Sequence, residues 1–318
     1  MNPISFFRAR LKGSSLSLEL HKLGRMIVEE FKVTLRNRRF LAFVILMSIP
    51  VVVVYIVAGL FWLPSSHQNV ELLTALSRGQ NLLDLFFDDF EEAIKDLSGM
   101  AEGYWLGFPS IIVTAVLTSE FVAGGRSNGT FDLFATKPVL RIWLVISKIV
   151  VFAISSFMVS LAIYLLLVML IAFSFFSFSF TAFIATWKAG WLIWNFVGVT
   201  WVFIMAICGF SVLLSSFTKR SLFAVFGVLG YTLGYAIAVG LIGQIIPGGL
   251  GQVLSEKLSY IDVGTDARFF LSHLIYGENM PKTYLVEMDP NFAFVAIIFF
   301  TIGTLIAALI NVEYKDIV

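Results

Sequence analysis

The segment that comes nearest to a catalytic or ligand-binding motif is the string GGRSNGT at residues 124–130. A loop that cradles nucleotide phosphates carries a Lys immediately before its final Ser or Thr, and it follows a β-strand. In this chain Gly129 stands before Thr130, and the string follows an apolar segment. We therefore predict that the chain has no nucleotide site and does not hydrolyse ATP by itself.

Other residues that could do chemistry are scattered. The three histidines lie in separate segments, the single cysteine is Cys208, and neither H-E-x-x-H nor C-x-x-C occurs. Carboxylates in residues 64–103 could form an acid and base pair, but nothing nearby supplies a nucleophile, so a solvated acidic face is the better interpretation. They are Asp84, Asp88, Asp89, Glu91 and Glu92. We expect no catalytic residue, no metal, no cofactor and no enzymatic activity.

The composition is that of a membrane protein. Of 318 residues, 58% are hydrophobic and 14% are charged, and the mean hydropathy is +0.90. Soluble domains have about 25% charged residues. This chain therefore has too little polar surface to cover a water-soluble globule, and most of it must face lipid.

Six apolar stretches reach the roughly 20 residues that a helix needs to cross the hydrocarbon core. They are residues 40–63, 104–123, 144–172, 190–217, 222–246 and 291–311. The second stretch is the least regular, because it contains Pro109 and ends on Glu120. The expected fold class is an all-α integral membrane protein with about six transmembrane helices.

Charge alternates between the connections. Residues 1–39 hold nine basic and three acidic residues, whereas the loop 64–103 holds two basic and eight acidic ones, and the loop 247–290 three basic and six acidic ones. Because cytoplasmic connections carry the excess of Lys and Arg, we predict a multi-pass protein of the cytoplasmic membrane with a transmembrane domain at 40–311. Both termini, including the tail 312–318, are then cytoplasmic, and the two acidic loops lie outside.

Residues 16–39 show the period of an amphipathic helix. Lys22, Arg25, Lys32 and Arg36 occupy the face opposite the apolar stripe. The stripe itself is Leu16, Leu20, Leu23, Ile27, Phe31 and Leu35. A basic amphipathic helix lies in the headgroup layer of a membrane. This interfacial helix either anchors the first span and does nothing else, or it also docks a cytoplasmic partner.

Polar and aromatic residues of the spans have two possible roles. The central parts of the spans carry no charge, and their polar side chains suit helix–helix hydrogen bonds when taken singly. Taken together, they would suit the lining of a path for a bulky or amphipathic substrate. Candidate lining residues are Tyr164, Asn195, Trp201, Tyr231 and Tyr235. Candidate anchors in the outer headgroup layer are Trp62, Tyr104, Trp105, Trp187 and Trp191.

Residues 119–148 read SEFVAGGRSNGTFDLFATKPVLRIWLVISK. A span ends at Glu120, glycine-rich backbone follows, and basic residues surround Pro138 up to Arg141. This passage resembles the permease subunits of type-2 ABC transporters, in which a Gly-Thr, Pro-x-x-Arg and Lys pattern forms the cytoplasmic loop after the second span. The layout of the whole chain resembles that family too, although its acidic first outer loop, residues 64–103, is longer than in many members.

The resemblance implies an ATP-driven exporter that works as a dimer. Its partners would be a second copy of the chain or a homologous permease, two copies of a separate ABC ATPase, and membrane lipid, with no nucleic acid. Residues 124–143 would form the loop that couples the permease to the ATPase. The residues implied in coupling are Glu120, Gly129, Thr130, Phe131, Lys137, Pro138 and Arg141.

A coupling element of this kind must be rigid, and the loop has residues that could make it so. Pro138 would end a short helix, and Gly124, Gly125 and Gly129 would permit sharp turns after the second span. Glu120 would pair with one of the bases that follow it, and these are Arg126, Lys137 and Arg141.

Two alternatives remain open. The loop 124–143 could be an ordinary cytoplasmic connection whose bases set topology and nothing more. The chain could also be a membrane assembly factor, sensor or anchor without transport activity, which binds a partner through the loops 64–103 and 247–290. A neighbouring gene that encodes a Walker-motif ATPase would favour the transporter.

Overall fold

The computed structural model describes most of the helical part of the chain. The described residues are 16–61, 94–95, 104–127, 141–176, 184, 186–245, 261–277 and 289–315. Helices dominate these ranges, and no strand occurs within them. The prediction of an all-α membrane protein is therefore confirmed.

We number the principal helices in chain order. They are α1 (Leu16–Arg36), α2 (Arg38–Phe61), α3 (Phe108–Thr118), α4 (Ala123–Ser127), α5 (Arg141–Phe176), α6 (Gly190–Phe217), α7 (Ser221–Ile245), α8 (Val263–Tyr276) and α9 (Pro290–Lys315). Helices thus lie at all six stretches that the apolar pattern predicts as spans, and α1 lies where the amphipathic pattern predicts a helix.

Four stretches of the described chain are long and apolar enough to cross a membrane. They are Phe108–Ser127, Ile142–Ala172, Gly190–Phe217 and Pro290–Glu313. Helix α7 contributes a shorter apolar stretch, Ser221–Tyr235, and α2 is a continuous apolar helix with Pro50 inside it. The number of six spans remains a prediction.

Helix α6 occupies the centre of the bundle. It packs against α3, α5, α7, α8 and α9, and most of its side chains are buried. It lies close against α9 at Gly209, where an added Cβ would lie 2.5 Å from Thr304 Oγ1. Glycine therefore permits the tight contact between these two helices, and any movement of α6 must displace most of its neighbours.

The second predicted span is displaced along the chain and interrupted. Pro109 lies in the first turn of α3, after the N-cap Gly107, where a missing backbone N–H costs no helical hydrogen bond. Helix α3 ends at Thr118, residues 119–122 form a turn, and α4 follows. The predicted span 104–123 therefore corresponds to 108–127, and Glu120 lies in its interruption.

Asn37 separates α1 from α2. Its side-chain Oδ1 accepts a hydrogen bond of 3.0 Å from the backbone N–H of Arg39, which is the N-cap arrangement that satisfies a free donor in the first turn of a helix. Helix α1 packs against α5 and α2, and Val28, Val33 and Leu35 remain exposed on it. Its location at a membrane surface remains a prediction.

Contacts join three helix ends to α4 and the turn before it, at one end of the bundle. The helix ends are the start of α2, the end of α6 and the end of α9, and the contacts are made by Arg39, Glu120, Arg126, Ser216 and Asn311. We call this the basic end. The predicted topology places it on the cytoplasmic side.

Candidate functional site

An ion pair at the basic end joins the start of α2 to the interruption of the second span. The guanidinium of Arg39 contacts the carboxylate of Glu120. The side chains are 52% and 39% exposed, respectively, so water screens the pair and its contribution to stability is about 0–1 kcal/mol. The pair instead contributes to the arrangement of the helices, because it holds the turn before α4 against the start of α2.

Gly124 allows Glu120 to lie close to α4. A Cβ at position 124 would be 3.3 Å from Glu120 Cβ, which is tighter than ordinary packing. Gly124 and Gly125 themselves lie in the helical turn α4. The expectation that these two glycines form a sharp turn is therefore wrong, and the turn lies earlier, at residues 119–122.

Arg126 connects α4 to the centre of the bundle. Its Nη1 donates to the backbone carbonyl of Ser216, with 2.5 Å between the two atoms. Ser216 O is among the last carbonyls of α6, which have no partner within the helix, and a cation is favourable at this end of a helix. Asn311 of α9 donates through Nδ2 to Ser216 Oγ at 2.6 Å. The start of the predicted coupling loop is thus bonded to the end of α6, which is in turn bonded to α9.

These contacts differ from the ion pairs that sequence reasoning considered. Glu120 pairs with Arg39, which was not among the bases considered, and Arg126 instead binds the end of α6. The remaining predicted coupling residues are mostly outside the described part of the chain: Gly129, Thr130, Phe131, Lys137 and Pro138. Arg141 begins α5, but its side chain is also outside that part. Their role in coupling stays a prediction.

Tyr164 forms the core of a buried aromatic cluster. Its ring centroid lies 4.3 Å from that of Trp105 and 5.2 Å from that of Phe196, and its hydroxyl is 3.1 Å from Thr200 Oγ1. Trp105 is 1% exposed, and its Nε1 donates to Met47 O at 2.9 Å. The expectation that Trp105 anchors the chain in the headgroup layer is therefore wrong, because its ring packs between helices.

Trp201 also lies between α5 and α6, where its contacts on α5 come earlier in that helix than Tyr164. Its Nε1 donates to Ala153 O at 2.8 Å, and its ring meets Phe157 edge-on. Asn195 is half-buried on α6. In this conformation Tyr164 and Trp201 therefore serve as the helix–helix contacts that the single-residue interpretation predicts.

Tyr231 and Tyr235 belong to a second aromatic cluster. The Tyr231 ring lies 4.8 Å from Phe210 and 6.0 Å from both Tyr235 and Phe300. The Tyr231 hydroxyl donates to Ile261 O, immediately before α8. Four of the five predicted lining residues are thus distributed over two groups of contacts: Tyr164 and Trp201 lie between α5 and α6, and Tyr231 and Tyr235 among α6, α7 and α9.

Helix α8 lies at the other end of the bundle and carries a buried acid. Asp262 caps the helix, accepting from Gly264 N at 3.2 Å and Thr265 Oγ1 at 2.5 Å, and Arg268 donates to Leu106 O at the start of the second span. Asp266 is 1% exposed, and its Oδ1 has no hydrogen-bond partner among the described residues. Sequence reasoning missed Asp266, although its position three residues after Val263 on an apolar stripe was a usable signal.

The buried acid predicts a pH dependence of stability. Burial, and then the nearby Asp262 carboxylate, raise the pKa of Asp266 from 3.8 to about 8. Between these pH values the unfolded chain has lost the proton and the folded chain has kept it, so stability falls as pH rises from about 4 to about 8. We expect Asp266→Asn to raise the melting temperature by about 2–4 °C at pH 8 and to leave it nearly unchanged at pH 4.

Thermal denaturation of the purified protein at several pH values measures this difference. Asp289→Asn is the matched control, because Asp289 is exposed and accepts from Asn291 N as a helix cap, a role that Asn also fills. Equal changes of melting temperature in both variants across the pH range would contradict the assignment of Asp266.

The helical bundle and its distribution of apolar surface define a multi-pass α-helical membrane protein. The sequence matches the family described as ABC-2 family transporter protein over residues 26–312, which is nearly the whole chain. The chain therefore belongs to that family and is a permease component of an ABC transporter, a class that pairs with an ABC ATPase subunit. A comparison with curated proteins found no match.

Proposed function

We propose that the chain is the permease subunit of an ATP-driven exporter, and that a separate ATPase drives it through alternating access. The observation that best supports this is the linkage at the basic end. The turn that leads into the loop 124–143 is joined to α2 through Glu120 and Arg39, and the beginning of the loop is joined to α6 through Arg126 and Ser216. A loop that only sets topology needs neither connection.

The linkage provides a route for mechanical coupling. ATP binding closes two ATPase subunits against a permease dimer and pushes on the loop 124–143 and on α1. Arg126 passes the displacement to α6, which contacts five other helices. Because packed interiors switch between discrete arrangements and do not deform continuously, displacement of this central helix changes which side of the membrane the substrate path opens to.

The substrate path follows the two aromatic clusters. Tyr164, Asn195, Trp201, Tyr231 and Tyr235 line it in the open states, which suits a bulky or amphipathic substrate. Opening requires the Tyr164 contact with Thr200 and the Trp201 contact with Ala153 to be exchanged for contacts with substrate or water. Each is a single hydrogen bond, worth about 0.5–1.5 kcal/mol net, so the exchange is within reach of the free energy of ATP binding.

The proposed orientation places the basic end and both termini in the cytoplasm. We expect single cysteines at Ser77 and Thr283 to react with an impermeant reagent in intact cells, and a cysteine at Ser127 to react after the cells are opened. The native Cys208 is fully buried, and Cys208→Ala supplies a clean background. Reaction of the Ser127 position in intact cells, at the rate of Ser77, would overturn the orientation.

ATP hydrolysis tests the proposed division of labour. We expect the homogeneous chain to show no hydrolysis above background, and a complex isolated from native membranes to contain a Walker-motif ATPase and to hydrolyse ATP. Hydrolysis by the homogeneous chain would contradict the proposal. A stable complex that lacks any ATPase would favour the assembly, sensor or anchor alternative.

A further inference from the structure

A cavity of about 210 Å³ lies at the basic end, between α1, the start of α2, the turn before α4 and α5. Its lining combines the charged side chains of Glu30, Glu120 and Lys148 with the apolar side chains of Phe121 and Phe152. Pockets that enclose drug-sized ligands measure about 300–1,000 Å³. This smaller cavity has the size for a compact polar group with an apolar continuation.

The charges that line the cavity are incompletely matched. Glu120 pairs with Arg39. Glu30 and Lys148 are both half-buried, yet no ion pair joins them to each other or to another described residue. Partly buried charges are favourable when they are paired. Two opposite charges that face one cavity without meeting are best satisfied by a ligand that carries both an anion and a cation.

The position of the cavity along α5 indicates that the ligand is a component of the membrane. Helix α5 has 36 residues and is therefore about 54 Å long, whereas a bilayer with its headgroups is about 40–45 Å thick. Lys148 follows the first residue of α5 by two turns of helix, or about 10 Å. With the basic end on the cytoplasmic side, as proposed above, we place this ammonium at the level of the headgroup layer, which also contains zwitterionic phosphates.

We propose that this cavity binds the headgroup of a zwitterionic phospholipid that has a primary amine. The phosphate lies at Lys148 Nζ, the ammonium at the Glu30 carboxylate, and the acyl chains leave along Phe121 and Phe152. The ligand joins α1, which carries Glu30, to α5, which carries Lys148, and so holds the amphipathic helix against the bundle. The proposal does not depend on the direction of transport or on the substrate.

The lipid preference of the purified chain tests this site. The chain is stripped of lipid in detergent and then exposed separately to phosphatidylethanolamine, phosphatidylcholine and phosphatidylglycerol, and native mass spectrometry measures the lipid that is retained. We expect phosphatidylethanolamine to be retained most. The quaternary ammonium of phosphatidylcholine has no N–H to donate to Glu30, and phosphatidylglycerol has no cation.

Three variants distinguish the site from general lipid adhesion. Lys148→Ala is expected to lower phosphatidylethanolamine retention about tenfold, as loss of a charge-assisted contact predicts. Glu30→Gln is expected to remove the preference over phosphatidylglycerol. Lys219→Ala, which removes an exposed base in the connection between α6 and α7, is expected to retain lipid as the unaltered chain does.

Soluble phosphoethanolamine distinguishes the two sources of the headgroup. If a millimolar excess leaves bound phosphatidylethanolamine in place, the acyl chains contribute and the ligand is the lipid. If the excess displaces the lipid from the unaltered chain and fails to bind Lys148→Ala, the same site recognises the free headgroup. Equal retention of the three lipids, or full retention of phosphatidylethanolamine by both Lys148→Ala and Glu30→Gln, would overturn the proposal.

Discussion

Reversing the charge of either Arg39 or Glu120 is expected to lower ATP hydrolysis by the permease–ATPase complex about tenfold, which corresponds to about 1.4 kcal/mol of lost coupling. Arg39→Glu and Glu120→Arg each place two like charges where an ion pair now stands. Like charges about 4 Å apart repel by roughly 1–4 kcal/mol at effective dielectric constants between those of water and a protein surface. The repulsion separates the turn before α4 from α2.

The combined variant Arg39→Glu with Glu120→Arg restores an ion pair in which the two charges are exchanged. We expect it to recover most of the activity, because the coupling needs the connection and not the identity of the partner at each end. Truncation to Ala should have a smaller effect, since a pair this exposed contributes about 0–1 kcal/mol.

A matched control is present in the connection between α6 and α7. Lys219 is an exposed base there and takes no part in the linkage at the basic end. Lys219→Glu should therefore leave hydrolysis nearly unchanged. If it reduces hydrolysis as much as Arg39→Glu does, general surface charge explains the effect and the linkage at the basic end does not.

The helices of this protein are predictable from sequence because lipid leaves little choice of structure. A chain in the hydrocarbon layer must satisfy its backbone hydrogen bonds internally, so an apolar stretch such as 190–217 becomes a helix with the same bounds. The stripe from Leu16 to Leu35 likewise predicts α1. Local composition and period carry this information, and no knowledge of neighbours is needed.

The displacement of the second span shows where local reasoning fails. A proline in the interior of a helix would interrupt it, and the apolar count places Pro109 in the interior of the second span. In the structure Pro109 lies in the first turn of α3, where it interrupts nothing. The apolar count also extends the span back to Tyr104 and Trp105, whose side chains in fact donate to the carbonyls of Leu46 and Met47. Hydropathy cannot separate an aromatic residue that packs between helices from one that anchors at an interface.

The candidate site depends on contacts between residues that are distant in sequence. Glu120 has bases shortly after it in the chain, and sequence spacing favours these, yet its partner is Arg39 from the preceding helix. Arg126 donates to Ser216 O and Asn311 donates to Ser216 Oγ, so the end of α6 is bonded to both α4 and α9. No local sequence pattern reveals the partner of Glu120 or the partner of Arg126, because the packing of the helices determines both partners.

Changes within the loop 124–143 should have the largest effect of all. Arg141→Glu replaces a base with an acid at the proposed contact with the ATPase, and like charges at an interface cost several kcal/mol, or about 100-fold in affinity. Gly129→Val adds a β-branched side chain where the proposed turn needs backbone freedom. Both variants should insert normally, because the spans and most of the basic residues are unchanged.

Arg220→Glu is the control for topology. Arg220 lies in the connection between α6 and α7 and is exposed there, so its reversal changes the net charge as Arg141→Glu does. If the loop bases only set orientation, the two reversals should behave alike. A coupling loop predicts that Arg220→Glu keeps the ATPase and that Arg141→Glu loses it.

Co-purification of the ABC ATPase with each variant, together with ATP hydrolysis by the isolated complex, measures the central claim most directly. For variants expressed at the normal level, we predict that Arg141→Glu and Gly129→Val lose the ATPase and its hydrolysis, whereas Arg220→Glu retains both. Full complex formation and activity in Arg141→Glu and Gly129→Val would show that residues 124–143 are a topological spacer and that the coupling assignment is wrong.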